Sequence, residues 1–364
     1  LAARSRHDAR RRADHLKELI SVTRKRLGFF TRLLDDVDAG ERYRLALEQI
    51  VHAERFGLES AWVAQHHFDA HEGGLPAPFV FLAQAAARTS TIRLGTGVVT
   101  LPLENAIRVA EDAAVLDLMS GGRLEVGVGT GGNPTAFTAF GHTSGARGEI
   151  FAQYFRTLLG AWRGEPIGGS PNLLYPPAPQ LIERIWQATF SVEGGRRAGE
   201  AGDGLLLSRT QPRAPDAPNA TLAEIQDPIV DAYLAALPPG RAPRILGSRS
   251  IFVADNRAEA RRFAEIGLGR FIARLRSVGR PVPQGSLDDL IRGFDIHMGT
   301  PDDVIASLHA DTTLARVTDV AAQVHSVDPP HAYILRSIEL FATVVAPAMG
   351  WAAPTPHQAL RTGT

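Results

Sequence analysis

Ile92-Arg93-Leu94-Gly95-Thr96-Gly97-Val98-Val99-Thr100 is a short, largely apolar run that Pro102 brings to a stop. Arg108 to Met119 then reads as a helix, Gly121-Gly122 turns the chain, and Leu124-Glu125-Val126-Gly127-Val128 is strand-like again. Short runs that are apolar on both faces belong to parallel sheets buried on both sides. A helix of this length between two of them is the crossover of a β–α–β unit.

The same pattern extends in both directions. Upstream, Leu27-Gly28-Phe29-Phe30 is the first strand, and Glu41 to Phe56 has helical apolar spacing ended by Gly57. Ser60-Ala61-Trp62-Val63-Ala64 is the second strand, followed by a helix at Pro78 to Arg88. Downstream, strands are predicted at 185–188, 204–207, 245–253 and 317–325, with helices at 149–162, 194–201, 225–237, 257–275 and 332–345. Thr300-Pro301-Asp302-Asp303 starts a further helix, Thr300 as cap and Pro301 in the first turn. Eight such units close most simply into an α/β (β/α)8 TIM barrel, with a long insertion between the fourth and fifth strands. An open doubly wound sheet is the competing arrangement, because a strand count does not distinguish closure. In a barrel the chemistry gathers just beyond the strand ends.

The barrel is expected to occupy residues 26–350 of the 364, between a basic N-terminal extension (1–25) and a C-terminal tail (351–364). Arg10-Arg11-Arg12 and Arg24-Lys25-Arg26 make that extension basic, yet Lys+Arg and Asp+Glu are 39 each over the whole chain, which argues against a general nucleic-acid binder. The absence of cysteine removes disulfides, thiolate metal sites and a Cys nucleophile, and fits a reducing compartment. Charged residues, Gly or Pro interrupt every apolar stretch before membrane-spanning length. No membrane partner is expected, and a cytoplasmic location is.

Three strand ends carry polar clusters. After the second strand, Gln65-His66-His67-Phe68-Asp69-Ala70-His71-Glu72 would place His67, Asp69 and His71 on one side of an extended chain, a metal-ligand ladder for a barrel hydrolase. No other strand end offers matching ligands, so no metal is assigned, and a single histidine acting as acid or base is the better reading. The fourth strand runs into Gly127-Val128-Gly129-Thr130-Gly131-Gly132, a literal G-x-G-x-x-G. The dinucleotide fingerprint needs a helix to open at once; Asn133-Pro134 follows instead, so these glycines are read as a turn or as close backbone approach to a flat ligand. After the fifth strand, Thr189, Ser191 and Gly194 precede a helix whose N-terminus could seat a phosphate, with Arg108 as countercharge.

In this order the segments resemble the luciferase-like monooxygenase superfamily. Arg26 to Phe30, Ala61 to Phe68, Ile92 to Gly97 and Arg108 to Leu124 carry the resemblance, together with Gly202 to Leu207, Gly299 to Val304 and Arg336 to Phe341. It implies reduced FMN delivered by a separate flavin reductase, O2, and a small-molecule organic substrate. It also implies His66 as acid or base, Val98, Val99 and Thr100 against the flavin ring, and Arg108, Thr189, Ser191 and Gly194 around its phosphate. Thr130 and Asn133 would face the same mouth, and a homodimer would form through helices of the second and third units. Gln65 replaces the Glu often found before the histidine pair. The Gly/Pro-rich stretch 164–179 is the expected lid, and Phe137, Phe140 and Tyr154 the expected apolar pocket. The same fold also admits a deazaflavin-dependent oxidoreductase or a non-catalytic flavin-binding barrel.

Overall fold

The computed structural model describes residues 24–351, apart from 215, 218–219, 278 and 280–281. The rest of the expected extension (1–23) and tail (352–364) lies outside the described residues. All strand pairs are parallel, and the order β1 (Arg26–Thr31), β2 (Ser60–Val63), β3 (Arg93–Thr96), β5 (Leu124–Gly129), β6 (Ile185–Ala188), β7 (Gly204–Leu207), β8 (Ile245–Val253), β10 (Asp319–Gln323) returns to β1. Two pairings settle closure, Arg26↔Asp319 between β1 and β10 and Leu246↔Asp319 between β8 and β10. The fold is therefore a closed (β/α)8 barrel.

Helices α1 (Ala39–Arg55), α2 (Pro78–Arg88), α3 (Ala106–Met119), α4 (Pro134–Ala139), α5 (Arg147–Trp162), α6 (Val192–Ala201), α7 (Leu222–Ala236), α8 (Arg257–Ser277), α9 (Leu287–Gly293), α10 (Pro301–His309) and α11 (His331–Leu340) surround the ring. Asp38, Asn105, Ser191 and Thr221 each cap a helix by accepting a backbone N–H, a satisfied donor at each start. No described helix is long and apolar enough to cross a membrane.

The predicted bounds of the fifth, sixth and seventh strands agree with β6, β7 and β8. Two details differ. The third strand is not continuous: it breaks at Gly97-Val98, and β4 (Val99–Thr100) pairs with Val128 and Gly129 farther along β5. An unpredicted strand, β9 (Ile296–Gly299), extends the upper end of β8 rather than joining the ring. Its four residues include a histidine and carry no alternation from which a strand could be read.

Side-chain alternation divides the barrel interior into a floor and a rim. Trp62, Trp186, Leu206, Leu246 and Ala321 form an apolar layer, joined by Phe30, Val98 and Ala188. The two indoles meet edge to face at 5.5 Å, and the Trp186 indole N–H donates to Glu125 at 2.7 Å. Farther up β8 and β10 the same inward face becomes polar, with Ser248 and Ser250 on β8 and Gln323 on β10. At the opposite end Lys25 Nζ donates to Val317 O and the Lys25 backbone N–H to Trp351 O.

The 164–179 stretch is not over the mouth. α5 carries the chain back to the end where strands begin, and the following segment must deliver it to the start of β6. Gln180 Nε2 (2.8 Å) and Arg184 (2.7 Å) both reach Asp117, near the end of α3, while Leu174, Ala178 and Leu181 are buried in the core. The expectation of a lid there is corrected: parallel topology places this connection at the floor. What crosses the mouth is the end of α8, where Arg274 pairs with Asp69.

Candidate active site

His66 stands just beyond β2, its backbone N–H donating to Leu75 O at 2.9 Å. Its ring is packed against Gly73, where a Cβ would lie 2.3 Å from the His66 Cδ2. Burial first, then the positive field of Arg32, holds the imidazole well below the usual histidine range, so it is neutral at pH 7. Glu72 Oε1 lies 3.8 Å from Nδ1, outside hydrogen-bond reach. Glu72 is held from across the mouth by Asn133 Nδ2 at 2.9 Å, which brings the ends of β2 and β5 to one opening.

Gln65 has a structural task. Its amide donates to Pro76 O and Glu104 Oε1, while its oxygen accepts from the Thr100 N–H at 2.7 Å. An ionised Glu could accept the Thr100 bond but supply no donor to Pro76 or Glu104. Thr100 is thereby fixed, Val99 turns into the outer core, and Val98 turns inward to the layer containing both tryptophans.

The glycines beyond β5 serve different ends. A Cβ on Gly127 would lie 2.1 Å from Thr96 O, and one on Gly129 would lie 2.8 Å from Val98 Cγ2. Gly131 has φ +71°, whereas nothing lies within 4 Å of a Cβ on Gly132. Thr130, between Gly129 and Gly131, is half-buried. The motif is strand packing and a turn.

At β6, Thr189, Ser191 and Gly194 do come together. Ser191 Oγ caps α6 by accepting the Gly194 N–H at 3.1 Å, and Thr189 Oγ1 accepts the Ser191 N–H at 3.1 Å. A Cβ on Gly194 would lie 1.9 Å from Thr189 Oγ1, so only glycine leaves this cradle intact. Arg108 lies in the first turn of α3, largely exposed, and bonds Glu111 and Asp112 on its own helix at 2.5 and 2.6 Å. It makes no hydrogen bond with Thr189 or Ser191.

The His67/Asp69/His71 ladder does not converge. Asp69 Oδ1 accepts the His71 N–H and its other oxygen takes Arg274, while His67 stacks edge to face on Phe140. Of the expected apolar pocket, Phe140 joins His67 and Phe68 in an exposed aromatic group, and Phe137 is fully buried with Leu103 and Ala136. Tyr154 packs on the outer core.

Sequence reading missed Arg32, Arg209 and His325, which stand beyond β1, β7 and β10 on the other half of the mouth. Their position directly after staves was the available signal. His325 Nδ1 lies 2.8 Å from Asp328 Oδ2, and burial, reinforced by Arg209, lowers its pKa to about 4 even though Asp328 pulls upward. An unfolded histidine titrates near 6.5, so between these values the folded chain binds fewer protons and His325 loses stability as the pH falls. By pH 4 the loss should reach about 3 kcal/mol. Urea unfolding at pH 7 and pH 4 should therefore show wild type losing that much more than His325→Gln; equal losses would contradict the assignment.

Comparison with known proteins agrees with this architecture. The family model for luciferase-like monooxygenase matches residues 27–319. An uncharacterized protein, y4vJ, of Sinorhizobium fredii is 27% identical over 84% of this chain and 91% of its own length. The oxygenase component of a flavin-dependent trigonelline monooxygenase from Acinetobacter baylyi is 28% identical over 45% of this chain and 50% of its own. An F420-dependent glucose-6-phosphate dehydrogenase from Kineococcus radiotolerans is 33% identical over 43% and 50%. Among solved structures, the monooxygenase RslO1 of Streptomyces bottropensis superposes with TM-score 0.70 at 26% identity, covering 89% of this chain and 99% of that one. With four-fifths of its length matched by that family model, the chain belongs to the luciferase-like monooxygenase family.

Proposed function

We propose that the protein is the oxygenase of a two-component, cytoplasmic system that uses reduced FMN and O2 to oxidise a small organic molecule, the reduced flavin coming from a separate reductase. The observation that carries this reading is the cradle at α6: the Thr189 and Ser191 hydroxyls beside a glycine that no other residue can replace, at a helix N-terminus. Backbone N–H groups without intrahelical acceptors and the helix dipole both favour a phosphate there. Arg108, one stave pair away, would turn from Glu111 and Asp112 to meet it. Val98 and Thr100 would support the flavin ring, with Thr130 at its edge and Val99 holding β4 to the core.

Reduced FMN, when bound, supplies the two electrons with which O2 is activated. His66 would hold or move the proton at its imidazole beside the ring, a role suited to a neutral, buried base. The Asp69–Arg274 pair and the Glu72–Asn133 bond draw loops across the opening and exclude water. The proposed homodimer would cover the exposed Val80 on α2 and Val115, Leu118 and Met119 on α3.

FMN is expected to quench the tryptophan fluorescence of the purified chain saturably. Arg108→Ala should weaken FMN about tenfold, the scale of one charge-assisted contact, and leave riboflavin unchanged. Equal loss for both ligands would place the phosphate elsewhere. The family also contains F420-dependent relatives, so saturable quenching by coenzyme F420 with none by FMN would replace oxygenation by hydride transfer.

A further inference from the structure

The arc of the mouth that runs from β7, the neighbour of the cradle's strand β6, round to β1 carries positive charge that the flavin reading does not use. Arg209, two residues past β7, is only 5% exposed. Its guanidinium donates to Ser250 Oγ at 3.0 Å and Ser326 Oγ at 3.5 Å, and it forms no ion pair among the described residues. Arg32, past β1, donates to the Glu72 carbonyl, while its Nε is buried without an acceptor. Gln323 Nε2 and His325 Nε2, both on β10 or its end, are likewise buried and unpartnered.

The carboxylates in this region each have another partner. Asp328 holds His325, Asp35 accepts from Gln49, Asp295 holds Arg213, Asp69 holds Arg274, and Glu72 takes Asn133. A buried cation without a directly paired counterion is costly, and burial together with the like charge of Arg32 lowers the Arg209 guanidinium to about 9 against the pull of Asp328 and Asp295. A shallow recess, open to solvent, begins beside Arg32 and is lined by Phe30, Arg32, Gln323 and His325 together with the carboxylates Asp35 and Asp328. Phe30, on its wall, packs against the apolar tryptophan floor. The strand order β7-β8-β10-β1 makes these groups one continuous arc, while β3, β5 and β6, which carry the residues assigned to flavin, make the other.

We infer that the substrate carries a carboxylate or sulfonate, bound by Arg209 and Arg32 on the β7–β8–β10–β1 arc, with its apolar body directed toward the barrel axis. This rests on the oxygenase reading for the word substrate; the anion site itself does not. A planar guanidinium with free N–H groups suits either oxyanion, and the two serine hydroxyls fix its orientation.

The test titrates the full chain with hexanoate, hexane-1-sulfonate and the uncharged hexanamide by calorimetry, each with FMN and riboflavin titrated in parallel. At least one anion should bind about tenfold or more tighter than hexanamide. Arg209→Met should abolish that difference, Arg209→Lys should keep part of it, and FMN affinity should stay unchanged in both. Because Arg209→Met removes an unpaired buried charge, it should melt no lower than wild type. Equal affinity for anions and amide, or unaltered anion binding in Arg209→Met, would overturn the inference. So would a lower melting temperature, or FMN weakened while riboflavin is not, which would make this the flavin's phosphate seat. Anion binding as expected in a chain that binds no flavin would remove the oxygenase reading and leave this site standing.

Discussion

Replacing His66 with Gln should lower the product formed per reduced FMN supplied by about 10²- to 10⁴-fold, the range that a positioned acid or base contributes. FMN affinity should change by no more than about threefold, because no residue of the α6 cradle touches His66. Gln keeps a hydrogen-bonding group of similar reach and cannot take a proton, so the comparison isolates proton transfer. The pH profile provides a second reading of the same residue. Burial and the neighbouring Arg32 depress its pKa, so the basic form is present throughout pH 6–8 and the wild-type rate should not fall as the pH drops through 6.5. Turnover by His66→Gln equal to wild type would remove His66 from the chemistry.

Gly127→Ala is expected to be among the most damaging single-methyl changes in the barrel. Its Cβ would lie 2.1 Å from Thr96 O and 2.7 Å from Leu206 Cδ1. Thr96 Oγ1 also donates to Gly127 O at 2.8 Å and accepts the Gly127 N–H at 2.9 Å, so separating the strands breaks both bonds. Overpacking typically costs 1–3 kcal/mol; with backbone as the obstacle, about 3 kcal/mol is expected here. Gly132→Ala, five residues on, meets nothing within 4 Å and should stay within about 0.5 kcal/mol of wild type. Urea unfolding of the two variants decides the matter. Equal stability would show that β3 and β5 can separate freely, and the packing account of the motif would fail.

That pair also shows why the G-x-G-x-x-G could not be interpreted from spacing. One glycine answers to a carbonyl on another strand, one to a valine side chain, one to its own φ, and one to no neighbour. Only the partner strand distinguishes them. The fifth to seventh strands were legible because short, largely apolar runs bounded by polar residues, Gly or Pro have few other uses. The 164–179 segment was misread because its Gly and Pro content identifies a loop but not the end of the barrel on which the loop lies. Arg209 was overlooked for a related reason: an arginine in Leu207-Ser208-Arg209-Thr210 looks solvated until Ser250 and Ser326, from two other staves, enclose it.

The order of apolar runs and helix starts determined by itself that this chain is built of repeated β–α units, and its motifs pointed to the family. Both are local properties, carried by periodicity and neighbouring residues. Closure of the ring, the end on which each connection lies, and the division of the mouth into a phosphate cradle and a cationic arc were decided by tertiary structure alone. Each depends on pairings such as Arg26 with Asp319, nearly three hundred residues apart, and a burial or an unsatisfied charge has no meaning until those distant strands meet.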